Sequence, residues 1–111
     1  MDLPLRQPSS PPPRLLLVED DAELADTLVT SLRADGLITA VCPTGESAIQ
    51  LARHEAFDLV ILDLALPGVD GFSVLRELRA NANTRTTPIL ILAVAAGHAV
   101  QILKRFYEEF E

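Results

Sequence analysis

The stretch FDLVILDLALPGVDGF, residues 57–72, decides how this chain folds. Its centre, residues 59–62, is a run of four large apolar side chains that ends on a carboxylate, Asp63. A short apolar run bounded by polar residues is typical of a buried strand. An aspartate at the tip of such a strand is costly unless something there requires a negative charge. A partner for Asp63 is therefore sought in the rest of the chain.

Apolar runs and helical patterns alternate on both sides of this stretch. Strands are predicted at residues 15–18, 38–42, 59–62 and 88–92, and helices at residues 21–34, from Thr44 onward, at 70–80 and at 97–111. The strands are apolar on both faces and are separated by amphipathic helices, which predicts a parallel sheet covered on both sides. The sequence therefore predicts a doubly wound α/β domain.

The predicted helices differ in the residues that should face the core. The first is expected to pack through Leu24, Leu28 and Leu32, which are spaced by four. Thr44 is predicted to be an N-cap residue, because its hydroxyl can accept a hydrogen bond from the first turn. The third helix is expected to pack through three side chains: Phe72, Leu75 and Leu78.

The second strand is predicted from a weaker pattern than the other three. Its residues 38, 40 and 42 alternate with Thr39 and Val41, so two opposite faces are expected. Its last residue, Cys42, is the single cysteine of the chain and is interpreted as a small core residue.

The amino-acid composition of the chain limits the classes of protein to which it can belong. The chain has 111 residues, 49% hydrophobic and 23% charged, with a formal net charge of −7. So acidic a surface repels phosphate backbones, so we expect no direct nucleic-acid binding by this chain. A single cysteine forms no internal disulfide and suits a cytoplasmic protein. We expect no membrane span, because no apolar stretch reaches the roughly 18 residues that one requires.

The first 13 residues differ from the remainder. They contain five of the eight prolines, which fix φ and remove backbone donors. We interpret residues 1–13 as a disordered, proline-rich tail and residues 14–111 as one domain.

Acidic side chains end two of the predicted strands. Glu19, Asp20 and Asp21 follow the first strand, and Asp63 ends the third. Ligands of such sheets bind beyond the carboxyl ends of the strands, so the acids would converge if these strands are neighbours. Carboxylates that meet must be protonated or bind a cation, and hard oxygen donors on a wet rim suit Mg²⁺. An alternative for residues 19–21 is that they favour the dipole of the following helix.

The loop after Asp63 contains residues that bend the backbone. Pro67 and Gly68 are predicted to shape the loop that presents Asp63, and Gly71 to relieve crowding where the next helix begins.

The segments LLLVEDDAEL, DLVILDLALPGVDGF and TPILIL resemble the receiver domain of bacterial two-component response regulators, from Arg14 to about Leu92. The resemblance implies a flavodoxin-like sheet with strand order 2-1-3-4. It implies a signalling protein rather than an enzyme, which takes a phosphoryl group from a sensor histidine kinase or phosphotransfer protein. The phosphoacceptor would be Asp63.

The resemblance also implies a metal site. Mg²⁺ would be held by Glu19, Asp20, Asp63 and the backbone carbonyl of Ala65. Asp21, one step beyond the matched pair, is interpreted as a helix-start residue.

The sequence departs from the receiver pattern after the fourth strand. Ala93 occupies the switch position at which receivers carry a Ser or Thr hydroxyl. We expect the usual fifth strand with its Lys-Pro pair and the fifth helix to be missing, because Lys104 lies within a helical pattern. An uncovered fourth strand predicts marginal stability, or a homodimer in which the C-terminal helix covers a partner.

Three hypotheses follow from these patterns. The first is a phosphoacceptor receiver with Asp63 as its site. The second is a degenerate receiver that binds a partner independently of phosphorylation, which Ala93 and the absent lysine favour. The third, a phosphatase of the haloacid-dehalogenase type, is disfavoured because those enzymes carry a second acid where this chain has Ala65.

Overall fold

The computed structural model describes residues 11–92, and the elements alternate as the sequence predicts. The strands are β1 (Arg14–Val18), β2 (Ile38–Cys42), β3 (Leu59–Asp63) and β4 (Ile89–Leu92). The helices between them are α1 (Ala22–Ala34), α2 (Gly45–His54) and α3 (Gly71–Ala80). None of the helices in residues 11–92 is long and apolar enough to cross a membrane.

All four strands are parallel and lie in the order β2-β1-β3-β4. The predicted fold class and strand order are therefore confirmed. Val18, near the end of β1, pairs with Cys42 on one side and with Leu62 on the other. This register brings the carboxyl ends of β1, β2 and β3 to one edge of the sheet.

Apolar side chains cover both faces of the sheet. On one face, β1 and β3 residues pack with α2 and α3 in a core that includes Leu16, Leu62 and Val74. On the other face, Leu17 and Ile61 pack with α1. Successive strand residues point to opposite faces, so a strand buried on both sides must be apolar throughout. This explains the uninterrupted apolar runs of β1 and β3.

The core-facing residues of α1 differ from the prediction. Ala25 and Val29 are buried, whereas Leu24, Leu28 and Leu32 are only half-buried. The buried stripe is thus displaced by one residue, because the smaller side chains allow the helix backbone to approach the sheet. Leu28 and Leu32 pack along its margin.

The expected packing of α3 through Phe72 is wrong. The Phe72 side chain is 59% exposed, while Val74 and Leu78 are fully buried. Asp70 is the N-cap of α3, so the helix begins at Gly71. Phe72 lies on the outer side of its first turn, and the Val74 and Leu78 pair, spaced by four, faces the core.

The faces of β2 are only partly covered, because this strand lies at the edge of the sheet. Cys42 and Thr39 are buried on opposite faces, whereas Ile38 and Val41 are exposed by 48% and 40%. Cys42 is a core residue, as predicted. The alternation in the sequence therefore predicted the strand β2, but it did not predict which side chains on each face of that strand are buried.

Some predictions concern residues at the two ends of the chain. Pro13 accepts a hydrogen bond from the Ile38 N–H (2.9 Å), so backbone pairing between β1 and β2 extends to Pro13, beside the boundary expected at Arg14. Most of the proline-rich segment, Ala93, Lys104 and the 97–111 helix lie outside the described residues. The predicted absence of a fifth strand and the predicted homodimer also concern residues outside the described range.

Candidate functional site

Three acidic side chains meet at the carboxyl edge of the sheet. Glu19 and Asp20 follow β1, and Asp63 is the last residue of β3, the strand next to β1. One carboxylate oxygen from each of the three lies within 4.8 Å of the others. The fold therefore brings together the acids that the sequence places at the ends of two strands.

Two of these acids are buried. Glu19 is 2% exposed and Asp63 is 5% exposed, while Asp20 is open to solvent. Glu19 Oε2 accepts a hydrogen bond from the Asp21 N–H (3.0 Å), but within residues 11–92 its Oε1 is buried without a partner. A buried polar atom without a partner is costly and normally has a reason in the function of the protein.

The pKa of Glu19 reflects this environment. Its pKa is raised from 4.5 to about 7, chiefly by burial and further by the neighbouring Asp63 and Asp20 carboxyls, against the lowering effect of the Asp21 N–H. Without a cation, Glu19 therefore holds its proton more tightly than an ordinary glutamate does. A cation that binds this carboxylate has to displace the proton.

Backbone contacts hold Asp63 and Glu19 in place. The Ala65 N–H donates to Asp63 Oδ1 (2.9 Å), and Asp63 pairs with Leu92 in the β3–β4 ladder. The Glu19 N–H donates to the Cys42 carbonyl (3.1 Å) at the end of β2. Both buried acids thus follow strands whose backbones are tied to their neighbours, which limits their movement.

The loop from Asp63 to α3 turns sharply and returns to the site. Gly68 has φ +74°, a left-handed conformation that favours glycine. A Cβ at Gly71 would lie 2.4 Å from Leu64 Cα and 2.8 Å from the Asp63 carbonyl oxygen, so only glycine fits there. Pro67 lies at the exposed tip of the loop. The loop-shaping role of the three residues stays a prediction.

Leu66 is a part of the loop that the sequence analysis missed. It is 7% exposed and packs in the core on the α2 and α3 side. Its apolar character in the segment LALPG was the available signal, but it is confined to a single residue and has no periodicity. It anchors the middle of a loop whose neighbouring residues are exposed.

Asp21 does not belong to the acidic cluster. Its Oδ1 accepts from the backbone N–H groups of Glu23 (3.0 Å) and Leu24 (3.2 Å), which makes it the N-cap of α1. The interpretation as a helix-start residue is confirmed. The second predicted cap is confirmed as well, because Thr44 Oγ1 accepts from the Ser47 N–H (3.1 Å).

A cavity of about 510 Å³ lies between α2 and α3, lined in part by Ile49, Val69 and Arg76. None of the three clustered acids lines it. The chemistry that the structure supports is therefore located at the strand ends and not in this cavity.

The cluster suits a small, hard cation. Its donors are carboxylate oxygens, one of which is buried without a partner in the described part of the chain, and one acid remains in contact with solvent. Mg²⁺ prefers oxygen ligands and retains several waters, which a site at an open rim allows. The carbonyl predicted for Ala65 and the position Ala93 stay predictions, since no contact tests the first and the second is not among residues 11–92.

Comparisons with known proteins agree with this arrangement. The family model of the response regulator receiver domain matches residues 15–108. The chain is 44% identical over 94 residues to the transcriptional activator protein PfeR of Pseudomonas aeruginosa, which covers 85% of this chain and 30% of that protein. It is 46% identical over 79 residues to the DNA-binding response regulator MtrA of Mycobacterium tuberculosis, which covers 71% and 33%. The chain thus spans about a third of the length of these curated relatives.

Solved structures show the same fold. The receiver domain of a sensor histidine kinase from Pseudomonas aeruginosa PAO1 has a TM-score of 0.72 and 26% identity, and the match covers 88% of this chain and 96% of that one. That structure has a magnesium ion coordinated in its active-site cleft. A response regulator structure from Chloroflexus aurantiacus gives a TM-score of 0.76 at 33% identity and covers 86% and 78% of the two chains.

Proposed function

This chain belongs to the response regulator receiver family, and from that premise we propose that it accepts a phosphoryl group on Asp63 in a two-component phosphorelay. Glu19, Asp20, Asp63 and the Ala65 carbonyl would hold Mg²⁺. The donor would be a phosphorylated histidine of a sensor kinase or phosphotransfer protein. The protein would therefore act as a signalling phosphoacceptor, at most with self-phosphorylating and self-dephosphorylating activity.

One observation carries the proposal. One carboxylate oxygen from each of the three acids lies within 4.8 Å of the others, and within residues 11–92 the buried Oε1 of Glu19 has no hydrogen-bond partner. The described ion pairs, Arg14 with Glu55 and Arg53 with Glu77, leave this cluster uncompensated. Like charges at this separation favour binding of a divalent cation, so a cation explains both the convergence and the unpaired oxygen.

The transfer step follows from the chemistry of a carboxylate. An Asp63 oxygen attacks the phosphorus of the phosphohistidine, a P–O bond forms, and the P–N bond breaks. The electron pair of the broken bond returns to the imidazole nitrogen of the donor, so no further reactant is needed. The Ala65 N–H, 2.9 Å from Asp63 Oδ1, orients the nucleophile. Bound Mg²⁺ supplies positive charge that offsets the repulsion between the carboxylates and the phosphoryl oxygens.

The net charge of this chain argues against the DNA-binding function that is named for its relatives. Its net charge of −7 opposes binding to a phosphate backbone. We therefore assign to the chain the phosphoacceptor step and not DNA recognition.

Labelling with acetyl phosphate tests the proposal. Incubation with acetyl phosphate and Mg²⁺, followed by intact-mass measurement, should give an adduct of one phosphoryl group. Asp63→Asn should abolish the adduct. Asp21→Asn is the matched control, because Asp21 is a nearby acid that caps α1 and lies outside the cluster. An adduct that persists in Asp63→Asn would reject Asp63 as the acceptor.

A second function, protein binding independent of phosphorylation, is favoured by one feature of the sequence. Ala93 lacks the hydroxyl that receivers use to couple phosphorylation to a conformational change. Absence of the adduct in the wild type, together with retained partner binding by Asp63→Ala, would select this function.

A further inference from the structure

The turn between β2 and α2 contacts both halves of the acidic site. We call residues 42–45 the β2–α2 corner. At its start, the Cys42 carbonyl accepts a hydrogen bond from the Glu19 N–H (3.1 Å). At its end, Gly45 packs against the loop that follows Asp63. A single corner therefore lies between the segment that carries Glu19 and the segment that carries Asp63.

Gly45 leaves no space for a side chain. A Cβ at this position would lie 2.6 Å from Val74 Cγ2, 3.1 Å from the Val69 carbonyl oxygen and 3.3 Å from Val69 Cβ. Val74 is fully buried, and its β-branched side chain has few alternative rotamers. A side chain at residue 45 would therefore displace α3 or the preceding loop.

Such a displacement has a direct path to Asp63. Val74 belongs to the first turn of α3, and that helix begins at Gly71, in contact with Leu64 and the Asp63 carbonyl. The Gly71 N–H also donates to the Leu64 carbonyl (3.3 Å). Because Gly71 lies directly against Leu64 and the Asp63 carbonyl, a movement of the first turn of α3 would reach Asp63.

We propose that Gly45 is a positioning residue for the phosphoacceptor site: by packing against Val69 and Val74, it sets the separation between Glu19 and Asp63. This inference rests on the proposed function, because its consequence is the affinity of that site for Mg²⁺. Groups that orient metal ligands typically change metal affinity by 10- to 100-fold when they are altered, and an alanine at residue 45 is expected to act at the lower end of this range.

The experiment compares the wild-type full chain with three variants: Gly45→Ala, Val74→Ala and the double variant Gly45→Ala/Val74→Ala. Mg²⁺ titration by calorimetry should show a dissociation constant about tenfold higher in Gly45→Ala. The double variant removes the atom at 2.6 Å and should recover an affinity within about threefold of Val74→Ala. The rate of labelling by acetyl phosphate should fall in Gly45→Ala at limiting Mg²⁺ and recover at saturating Mg²⁺. The comparison is made at a temperature at which circular dichroism shows Gly45→Ala to be folded without Mg²⁺, because Mg²⁺ also stabilises the folded state and would otherwise restore labelling by refolding.

Gly36→Ala is the matched control for stability. Gly36 has φ +85°, and a Cβ added there would have no atom within 4 Å. An alanine at residue 36 should therefore strain the backbone without contacting the loop that follows Asp63. It should lower the unfolding midpoint and leave the Mg²⁺ affinity of the folded protein unchanged. Wild-type affinity in folded Gly45→Ala would overturn the inference, and so would an equal loss in Gly36→Ala.

Two further outcomes are decisive. If Gly45→Ala does not fold, the double variant is compared with Val74→Ala: a folded double variant with an Mg²⁺ affinity within about threefold of Val74→Ala would support the inference, and a larger loss would overturn it, because the loss would then not arise from the contact with Val74. If the wild type neither binds Mg²⁺ nor forms the adduct, the proposed function fails, and the inference fails with it.

Discussion

The amino ends and the carboxyl ends of the strands form two opposite edges of the sheet, called here the amino edge and the carboxyl edge. The charged side chains at these two edges differ in whether they are paired. At the amino edge, the Arg14 guanidinium pairs with Glu55 and lies over the Phe57 ring, 5.2 Å from its centroid, and the Arg14 N–H donates to Asp58 Oδ2 (2.7 Å). At the carboxyl edge, Glu19, Asp20 and Asp63 converge without a cation from the described residues. One edge is compensated internally, whereas the other is arranged for a ligand.

If the proposed function is correct, this difference separates an edge that contributes to stability from an edge that binds a cation. Paired charges at the amino edge should stabilise the fold modestly, because the side chains of Arg14 and Glu55 are about two-fifths exposed. Buried like charges at the carboxyl edge should destabilise it until a cation binds. Substitutions that remove charge should therefore have opposite signs at the two edges.

The largest effect is expected for Glu19→Gln. The folded state raises the pKa of Glu19 from 4.5 to about 7, so it binds this proton more tightly than the unfolded chain does. Without Mg²⁺, the resulting stability is fully present below about pH 4.5 and is lost as the pH rises through about 7, by on the order of 3 kcal/mol. Glu19→Gln should lack this loss and be more stable than the wild type at about pH 8.

Urea denaturation at about pH 5 and about pH 8, without divalent cations, measures this difference. Glu23→Gln, an exposed acid in the first turn of α1, is the matched control and should keep the pH dependence of the wild type. An identical pH dependence in the wild type and Glu19→Gln would show that this carboxyl is not responsible.

A smaller stabilisation is expected for Asp63→Asn. The substitution removes a negative charge beside Glu19 and keeps an oxygen that can accept the Ala65 N–H. Without Mg²⁺, the free energy of unfolding should rise by about 1–2 kcal/mol, as expected for loss of a partly screened repulsion. Denaturant unfolding measures it, and destabilisation by this substitution would contradict the description of the carboxyl edge.

The smallest effect, with the opposite sign, is expected for Arg14→Met. The substitution keeps an unbranched side chain but removes the ion pair with Glu55 and the contact of the guanidinium with Phe57. The free energy of unfolding should fall by about 1 kcal/mol. Phosphoryl labelling of the folded protein should be unchanged, and a loss of labelling would show that the two edges are not independent.

The two edges also differ in how well the sequence predicts them. The acids of the carboxyl edge lie at the ends of apolar strands, so a local pattern together with the parallel-sheet rule predicted that they would meet if these strands were neighbours. The neighbouring positions of β1 and β3 were implied by the resemblance to receivers and not by the local pattern. The contacts of Arg14 with Glu55 and Asp58 join residues more than 40 positions apart and have no local pattern. Their geometry depends on the three-dimensional arrangement of the strands.

Within the elements, the sequence predicted helix and strand positions better than packing. The caps at Asp21 and Thr44 were predictable because they depend on hydrogen bonds within one turn. The exposure of Phe72 depends on which face of α3 packs on the sheet, and Val74 and Leu78 form that face. Gly45 carried no recognisable signal, because a glycine at the start of a helix has no distinctive local pattern.

The most direct test of the account is the effect of Mg²⁺ on thermal unfolding at about pH 8, measured for the wild type and for Asp63→Asn. If the three carboxylates form one cation site, Mg²⁺ at about 100 times its dissociation constant should stabilise the wild type by about 2.7 kcal/mol. Asp63→Asn should gain much less at the same concentration. No stabilisation of the wild type, or an equal gain in both proteins, would contradict the account.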